Sequence, residues 1–258
     1  ELSLNWRKEI IKDLNVDLRA NLTYNKNKYV YYDEPNYEAV WKKKTGQPLS
    51  ISWGYIADGY FQNQEEIDNG PDQTGLGSQL KPGDIKYRDV NGDGIINDDD
   101  KVMLSSFGSM PRIQYGLGLN LTYKKIDFGV FFNGSAQRKI MINNAMTDFG
   151  ERNKNVMKCI ADDHWSIDNP NPEATFPRLG LKSTDIKNNT EASSHWLRNG
   201  NFIRFKTLEV GYSFPHCRVY FSGDNLAVWS PFKLWDPELS WNAYPLQRTF
   251  NFGVQLNF

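Results

Sequence analysis

The densest run of potential ligands in this 258-residue sequence is Asp89-Val-Asn91-Gly-Asp93-Gly94-Ile95-Ile-Asn97-Asp-Asp-Asp100. Counted from Asp89, oxygen-bearing side chains of Asp89, Asn91, Asp93, Asn97 and Asp100 stand where a calcium loop places its ligands. Gly94 takes the sharp turn, and Ile95 offers a backbone carbonyl. A hard cation needs about six to eight oxygens, and this spacing wraps a single segment around one. The expected cofactor is therefore a structural Ca2+ held by Asp89, Asn91, Asp93, Ile95, Asn97 and Asp100. Asp100 stands where an EF-hand carries Glu, and its shorter arm makes bidentate closure harder. An acidic, Asn-Gly-rich turn without metal is the competing account. No helix is expected on either side: Gly83–Val90 reads as extended and a strand starts soon after Pro111. The loop would act as a staple and not as a calcium-sensing helix pair.

Other chemistry is sparse. His164, His195 and His216 lack zinc spacing, and Cys159 and Cys217 read as unpaired thiols. No nucleophile elbow, P-loop or dinucleotide fingerprint occurs. The carboxylates Asp162, Asp163 and Asp168 are unremarkable in a chain that is 24% charged. No catalytic or cofactor-binding residue is assigned, and the chain does not read as an enzyme. A net charge of −1 offers no basic field for nucleic acid. Lys42-Lys43-Lys44 is too short for such a patch and reads as a solvated loop.

The elements that must carry these residues are strands. In Thr249–Phe258 the apolar Phe250, Phe252, Val254, Leu256 and Phe258 alternate with Thr249, Asn251, Gly253, Gln255 and Asn257. With a period of two, one face is apolar and the other polar or small. Leu14–Tyr24 and Ile113–Tyr123 repeat the pattern cleanly. Leu2–Trp6, Ile126–Asn133, Thr207–Phe214 and Arg218–Leu226 repeat it less regularly, and Phe131 interrupts a polar face. Short turns are expected at Lys12-Asp13, Lys124-Lys125 and Pro215-His216. Long connections span roughly 27–110, 139–200 and 229–245.

No apolar run approaches the about 20 residues of a membrane-spanning helix, but a transmembrane barrel needs none. Short turns on one side, long loops on the other, and Asp17, Arg19 and Glu209 on polar faces favour a wet lumen over a dry core. The expected fold is all-β: about seven strands of an antiparallel transmembrane β-barrel with long extracellular loops. Seven strands leave two open edges, so the chain reads as part of something larger.

Several blocks resemble one family. These are Lys44-Thr-Gly-Gln-Pro-Leu49, Trp53-Gly-Tyr-Ile-Ala-Asp-Gly-Tyr-Phe61, Gln64-Glu-Glu-Ile-Asp68, and Pro82 through Gly94. Further along come Pro170–Arg178, Phe202-Ile-Arg-Phe-Lys-Thr-Leu-Glu-Val-Gly-Tyr212, Val219-Tyr-Phe-Ser-Gly-Asp-Asn-Leu226, Asp236-Pro-Glu238 and Arg248-Thr-Phe250. Together, and in this order, they resemble the SusC/RagA family of TonB-dependent outer-membrane transporters. The resemblance implies a barrel of about 22 strands with a plugged lumen, of which this chain would be the C-terminal part, residues 1–258 forming one portion of the barrel domain without plug or signal peptide. It also implies a SusD-like lipoprotein lid, the TonB complex acting through the plug, outer-membrane lipid around the barrel, and import of glycans or peptides into the periplasm. Trp165, Trp196, Trp229, Trp235 and Trp241 are candidates to stack on cargo, against loop packing or membrane-interface anchoring as the plainer account. The polar rows Asn15, Asp17, Arg19, Asn21; Gln114, Asn120; and Asn251, Gln255, Asn257 would line the wall.

A secreted, calcium-stapled β-sandwich of carbohydrate-binding type is the main rival. A dockerin is weaker, because it needs two such loops, each followed by a helix.

Overall fold

The computed structural model describes residues 1–49, 51–143 and 155–256. Its elements, in chain order, are β1 (Leu2–Ile11), β2 (Leu14–Tyr24), β3 (Ser52–Gly54), β4 (Ala57–Tyr60), α1 (Gln64–Asp68), β5 (Ile85–Tyr87), β6 (Val102–Ser105), β7 (Ile113–Tyr123), β8 (Ile126–Ala136), β9 (Lys139–Met141), α2 (Lys158–Asp162), β10 (Leu197–Asn199), β11 (Phe202–Ser213), β12 (Cys217–Trp229) and β13 (Thr249–Leu256). The chain divides into two compact units. One comprises Glu1–Lys26, Met110–Arg138 and Asn199–Phe258; the other comprises Asn27–Ser109 and Lys139–Arg198. Asn257 and Phe258, the end of the expected last strand, lie outside the described residues.

The first unit is one antiparallel sheet in the order β1-β2-β7-β8-β11-β12-β13. Two-residue turns close two of its hairpins, and each uses one left-handed residue, Asp13 at φ 66° and Lys124 at φ 53°. The register makes the alternation collective. Trp6, Leu18, Leu119, Val130, Leu208, Gly223 and Phe250 form a single rung across all seven strands. The neighbouring rung is Arg7, Asp17, Asn120, Gly129, Glu209, Ser222 and Asn251. The apolar face is not a buried core: Leu2 is 66% exposed, Phe250 58% and Phe252 75%.

Of the strands that run further than their alternation suggests, three do so for evident local reasons. In β11 the ladder skips Lys206 between Phe205 and Thr207, which breaks the period five residues into the strand. In β12 the same irregularity leaves Asn225 and Leu226 between the paired Asp224 and Ala227, with Asn225 at φ 54°. In β1, Lys8 falls on the apolar face opposite Val16 and hides the continuation to Ile11. Phe131, the apparent fault in β8, pairs with Gly118, and its ring lies over Gly118 and Gly116 where side chains would otherwise stand.

The bulged ends of β11 and β12 are tied to the 229–245 connection by one side chain. Arg204 is 1% exposed. It places Nε 2.7 Å from Glu238 Oε2 and an Nη 2.7 Å from both oxygens of Asp236, and it donates to Asn225 Oδ1. Asn225 Nδ2 in turn donates to the Gln247 carbonyl at 3.1 Å. Three sequence blocks far apart in the chain thus meet on one guanidinium.

The second unit is made of the long connections expected at 27–110 and 139–200, and it is compact. These segments build a core from Tyr55, Phe61, Ile85, Tyr87, Ile96, Ile160, Trp165, Ile186 and Trp196, all buried. The strands β3, β4, β5, β6, β9 and β10 form three two-stranded sheets, β3 with β6, β4 with β5 and β9 with β10. Among the described residues no helix is long and apolar enough to cross a membrane, which says nothing about strands.

Arg204→Ala removes a buried guanidinium and leaves Asp236, 14% exposed, and Glu238, 33% exposed, without their cation. Breaking a fully buried pair from one side costs about 3–5 kcal/mol and an exposed pair about 1 kcal/mol or less, so this mixed site should cost about 2–3 kcal/mol. Urea unfolding of the full-length protein should show a loss of that order. A change below about 1 kcal/mol, the scale of a surface pair, would mean that the clasp does not hold the connection.

Candidate functional site

On the polar face of the first unit the charges are organised in two groups. Asp17 of β2 accepts from Arg7, directly opposite on β1, and from Arg19 two residues along its own strand at 3.1 Å. Arg218 of β12 reaches across β11 to Asp127 of β8, with Nε 3.0 Å from Asp127 Oδ1, and also binds Glu209. The crossing works because Gly211 lies between them. A Cβ there would sit 2.5 Å from the Arg218 guanidinium and 2.6 Å from the Asp127 carboxylate. A cavity of about 550 Å³ on this face is lined by Arg19, Asn120, Thr122, Asp127, Phe131, Glu209, Ser222 and Asp224. The expected polar rows Asn15, Asp17, Arg19, Asn21, Gln114, Asn120, Asn251 and Gln255 all share this face. Glu209 was on the expected face, whereas its bridge through Arg218 to Asp127 depends on strand order that periodicity does not reveal.

The acid-rich loop follows β5 and ends in a 3-10 turn, Asp98–Asp100, before β6, so no α-helix borders it. Its side chains fold it onto its own backbone. Asp89 accepts from the N–H groups of Gly92 at 2.6 Å and Gly94 at 2.8 Å. Asn91 accepts from Asp93 N–H, Asp93 from Ile95 N–H, and Asn97 from Asp99 N–H. Gly92 and Gly94 supply the left-handed turns at φ 77° and 83°. The Gly94 N–H holds the Asp89 carboxyl below the usual carboxylate range, against partial desolvation, with the Gly92 N–H assisting. Ile96 is fully buried, and Asp72 pairs through its backbone with Gly94 and Ile96, which fixes the loop to the core.

These residues bear differently on a cation. Asp89, Asn91 and Asp93 keep oxygens on a partly exposed loop, a donor set suited to a hard ion. Asp100 is fully buried and spends its oxygens on Val90 N–H at 2.7 Å and Asn97 N–H at 2.9 Å, closing the loop as a capping residue. Among the described residues no three His, Cys, Asp or Glu side chains gather as a metal-holding group.

A buried polar network, missed by motif reading, holds the second unit together. Asp84 is fully buried and meets Arg178, with Nε 2.7 Å away, and Asn189 Nδ2 at 2.7 Å. Burial pushes its carboxyl above the usual carboxylate range, a rise that the Arg178 charge opposes without cancelling. Gln73, Asn188 and Asn189 bond the backbone of β5 through their amides, in place of a further strand. Two blocks of the resemblance, around Pro82 and Pro170–Arg178, contain the ion pair, but their separation in sequence gives no sign of the contact.

Of the aromatic candidates, Trp165 and Trp196 are core residues. Trp165 packs over Gly83, where a Cβ would come within 2.2 Å of its ring, and Trp196 Nε1 donates to the Asn189 carbonyl at 2.7 Å. Trp235 packs edge-on against Phe232 at 4.8 Å; Trp229 is exposed at the end of β12 and Trp241 is half-buried. His195 packs against Tyr60 and Trp196, and burial followed by the Arg198 charge pushes its imidazole down to about 4. It is neutral at physiological pH and serves as an aromatic core residue. Cys159 and Cys217 are free thiols.

The chain matches no family model. It is 30% identical over 238 residues to TonB-dependent receptor P26 of Formosa agariphila, covering 83% of this chain and 23% of the relative. It is 27% identical over 282 residues to TonB-dependent receptor SusC of Bacteroides thetaiotaomicron, covering 100% of this chain and 26% of SusC. In structure it resembles the RagAB peptide transporter (TM-score 0.63, 20% identity, 99% of this chain and 28% of that one). It also resembles the RagAB peptide importer in its open-open state (TM-score 0.65, 19% identity, 99% and 28%). The chain spans about a quarter of the length of the curated relatives it matches. These relatives are named as receptors and transporters, not as enzymes. With a seven-stranded antiparallel sheet and these relatives along its length, the chain is similar in sequence to TonB-dependent receptors, SusC among them, and in fold to the RagAB transporter.

Proposed function

We propose that this chain is the C-terminal portion of the β-barrel of an outer-membrane active transporter. The transporter imports oligosaccharides or peptides into the periplasm, is driven by TonB, and works with a SusD-like surface lipoprotein. The observation that carries the reading is the uncovered apolar face of the seven-stranded sheet, backed by a charged, cavity-bearing polar face. Lipid on one side and a wet lumen on the other would satisfy both. A calcium-stapled sandwich would need a second sheet on the apolar face, whereas the other described sheets have two strands each. A dockerin would need a helix after the acid-rich loop, where a 3-10 turn and β6 follow.

Facing is tested in the full-length protein by adjacent substitutions on β13. Val254 is on the apolar face and Gln255 on the polar one. Val254→Arg should cost about 2–4 kcal/mol near the bilayer midplane, and Gln255→Arg much less. The readout is the fraction of heat-modifiable, folded protein in the outer-membrane fraction. Equal losses, or a soluble detergent-free protein, would remove the barrel reading.

The same proposal gives the acid-rich loop a structural Ca2+. Asp89, Asn91, Asp93, Asn97 and the Ile95 carbonyl would hold it, with Asp100 sharing its carboxylate between ion and backbone. Asp89→Asn with Asp93→Asn keeps the turn-forming acceptors and removes two charges. In the unsubstituted receptor, calcium should protect the 89–100 segment from limited proteolysis, and the double variant should lose that protection. Cleavage indifferent to calcium in the unsubstituted receptor would leave the loop as a metal-free turn.

A further inference from the structure

The Lys42-Lys43-Lys44 run is not uniformly solvated. Lys43 is exposed, but Lys42 and Lys44 are half-buried and turn into an open cleft of about 290 Å³ within the second unit. The cleft is lined by Tyr37, Lys42, Lys44, Trp53, Asp98 and Lys101. Lys101 pairs with Asp98 at 2.8 Å, and Lys42 pairs with Asp99. Lys44 Nζ lies 5.1 Å from the centre of the Tyr32 ring and has no carboxylate within ion-pair distance among the described residues. Three ammonium groups therefore face one lining carboxylate. Two aromatic rings, of Tyr37 and Trp53, line the same space.

The cleft walls are held in place. The Trp41 indole donates to the Asp99 carbonyl at 3.0 Å, which ties the 40–42 turn to the end of the acid-rich loop. Glu34 accepts from the N–H groups of Lys44 and Thr45 at 2.8 Å each, which fixes the base of Lys44. Trp53 sits in β3, paired with β6. Partly desolvated cations beside flat apolar rings suit a ligand with an anionic substituent on a sugar ring. The ring stacks on the aromatics while the carboxylate or sulfate meets the lysines.

We propose that this cleft is a binding subsite for an anionic oligosaccharide, with Lys44 as the main charge contact and Trp53 as a stacking platform. Lys101 and Lys42 are shared with Asp98 and Asp99 and steer more than they bind. The proposal refines the cargo of the import reading and rests on it only for the use to which binding is put.

The test uses purified full-length receptor, titrated with hexagalacturonate, with neutral maltohexaose and with hexaglutamate, at low and at physiological salt. The subsite predicts saturable hexagalacturonate binding that weakens with salt, with little binding of maltohexaose. Lys44→Met and Trp53→Leu should each weaken it about tenfold or more, an effect of the size expected for a charge-assisted contact or a stacked ring. Lys44→Gln guards against a packing defect and should behave like Lys44→Met. Lys43→Met, at the exposed neighbour, should change nothing. Absence of hexagalacturonate binding, equal binding of maltohexaose, tighter binding of hexaglutamate, or indifference to Lys44 and Trp53 would each overturn the proposal. Binding to purified receptor is independent of where the protein sits in the cell, so failure here leaves the barrel reading standing, and failure of the fractionation test leaves the cleft result standing.

Discussion

A strand can present only two faces, and seven strands in fixed register present only two between them. Once Trp6, Leu18, Leu119, Val130 and Leu208 share a rung, Arg7, Asp17, Asn120 and Glu209 must share the next. A slip of one residue anywhere would put an arginine or aspartate among the exposed leucines and phenylalanines. The apolar side holds no internal core to absorb such an error, so the register answers to whatever covers that face. The polar side answers to charge pairing, and the two demands select the same register.

The polar face also shows how a flat wall accommodates long side chains. Arg218 meets Asp127 two strands away because Gly211 leaves room between them. Phe131 lies down over Gly116 and Gly118 for the same reason. Glycine in mid-strand costs about 0.5–1 kcal/mol relative to alanine, and here the cost is offset by contacts that a Cβ would block. Arg204 solves a different problem. It stands next to the point where β11 and β12 lose their regular pairing, and its side chain joins Asn225 of the irregular stretch to the carboxylates of Asp236 and Glu238. The bulge and the buried arginine together tether the 229–245 connection to the ends of these strands.

Legibility in the sequence follows from whether a contact is periodic. The bounds of β2 and β7 can be read to the residue because neither strand is bulged and every partner obeys the two-residue repeat. The start of β11 is hidden by Lys206, a single unpaired residue that inverts the pattern. The second unit is opaque for a deeper reason. Its strands have three or four residues, and the edge of β5 is satisfied by amides from Gln73, Asn188 and Asn189, a contact without any period. Trp165 and Trp196 look like stacking platforms in a list of aromatics, yet their burial is decided by Gly83 and Asn189, remote in sequence. The spacing of the acid-rich loop is legible. The inward role of Asp100 is not, because it depends on Val90 and Asn97 curling back onto one carboxylate.

The acid-rich loop and the lysine cleft share a wall, which constrains what each can do. Asp98 and Asp99 close the loop in its final turn and at the same time partly neutralise Lys101 and Lys42. Charge in the loop therefore tunes the cleft without entering it. With those two lysines engaged, the cation left to a ligand is Lys44, held by its backbone to Glu34 and placed over Tyr32. A cleft whose lysines were all unpaired would attract any polyanion. Two lysines held in reserve and one presented beside Trp53 favour a ligand whose charge sits at a fixed distance from a flat ring. Discrimination then comes from the carboxylates as much as from the ammonium groups.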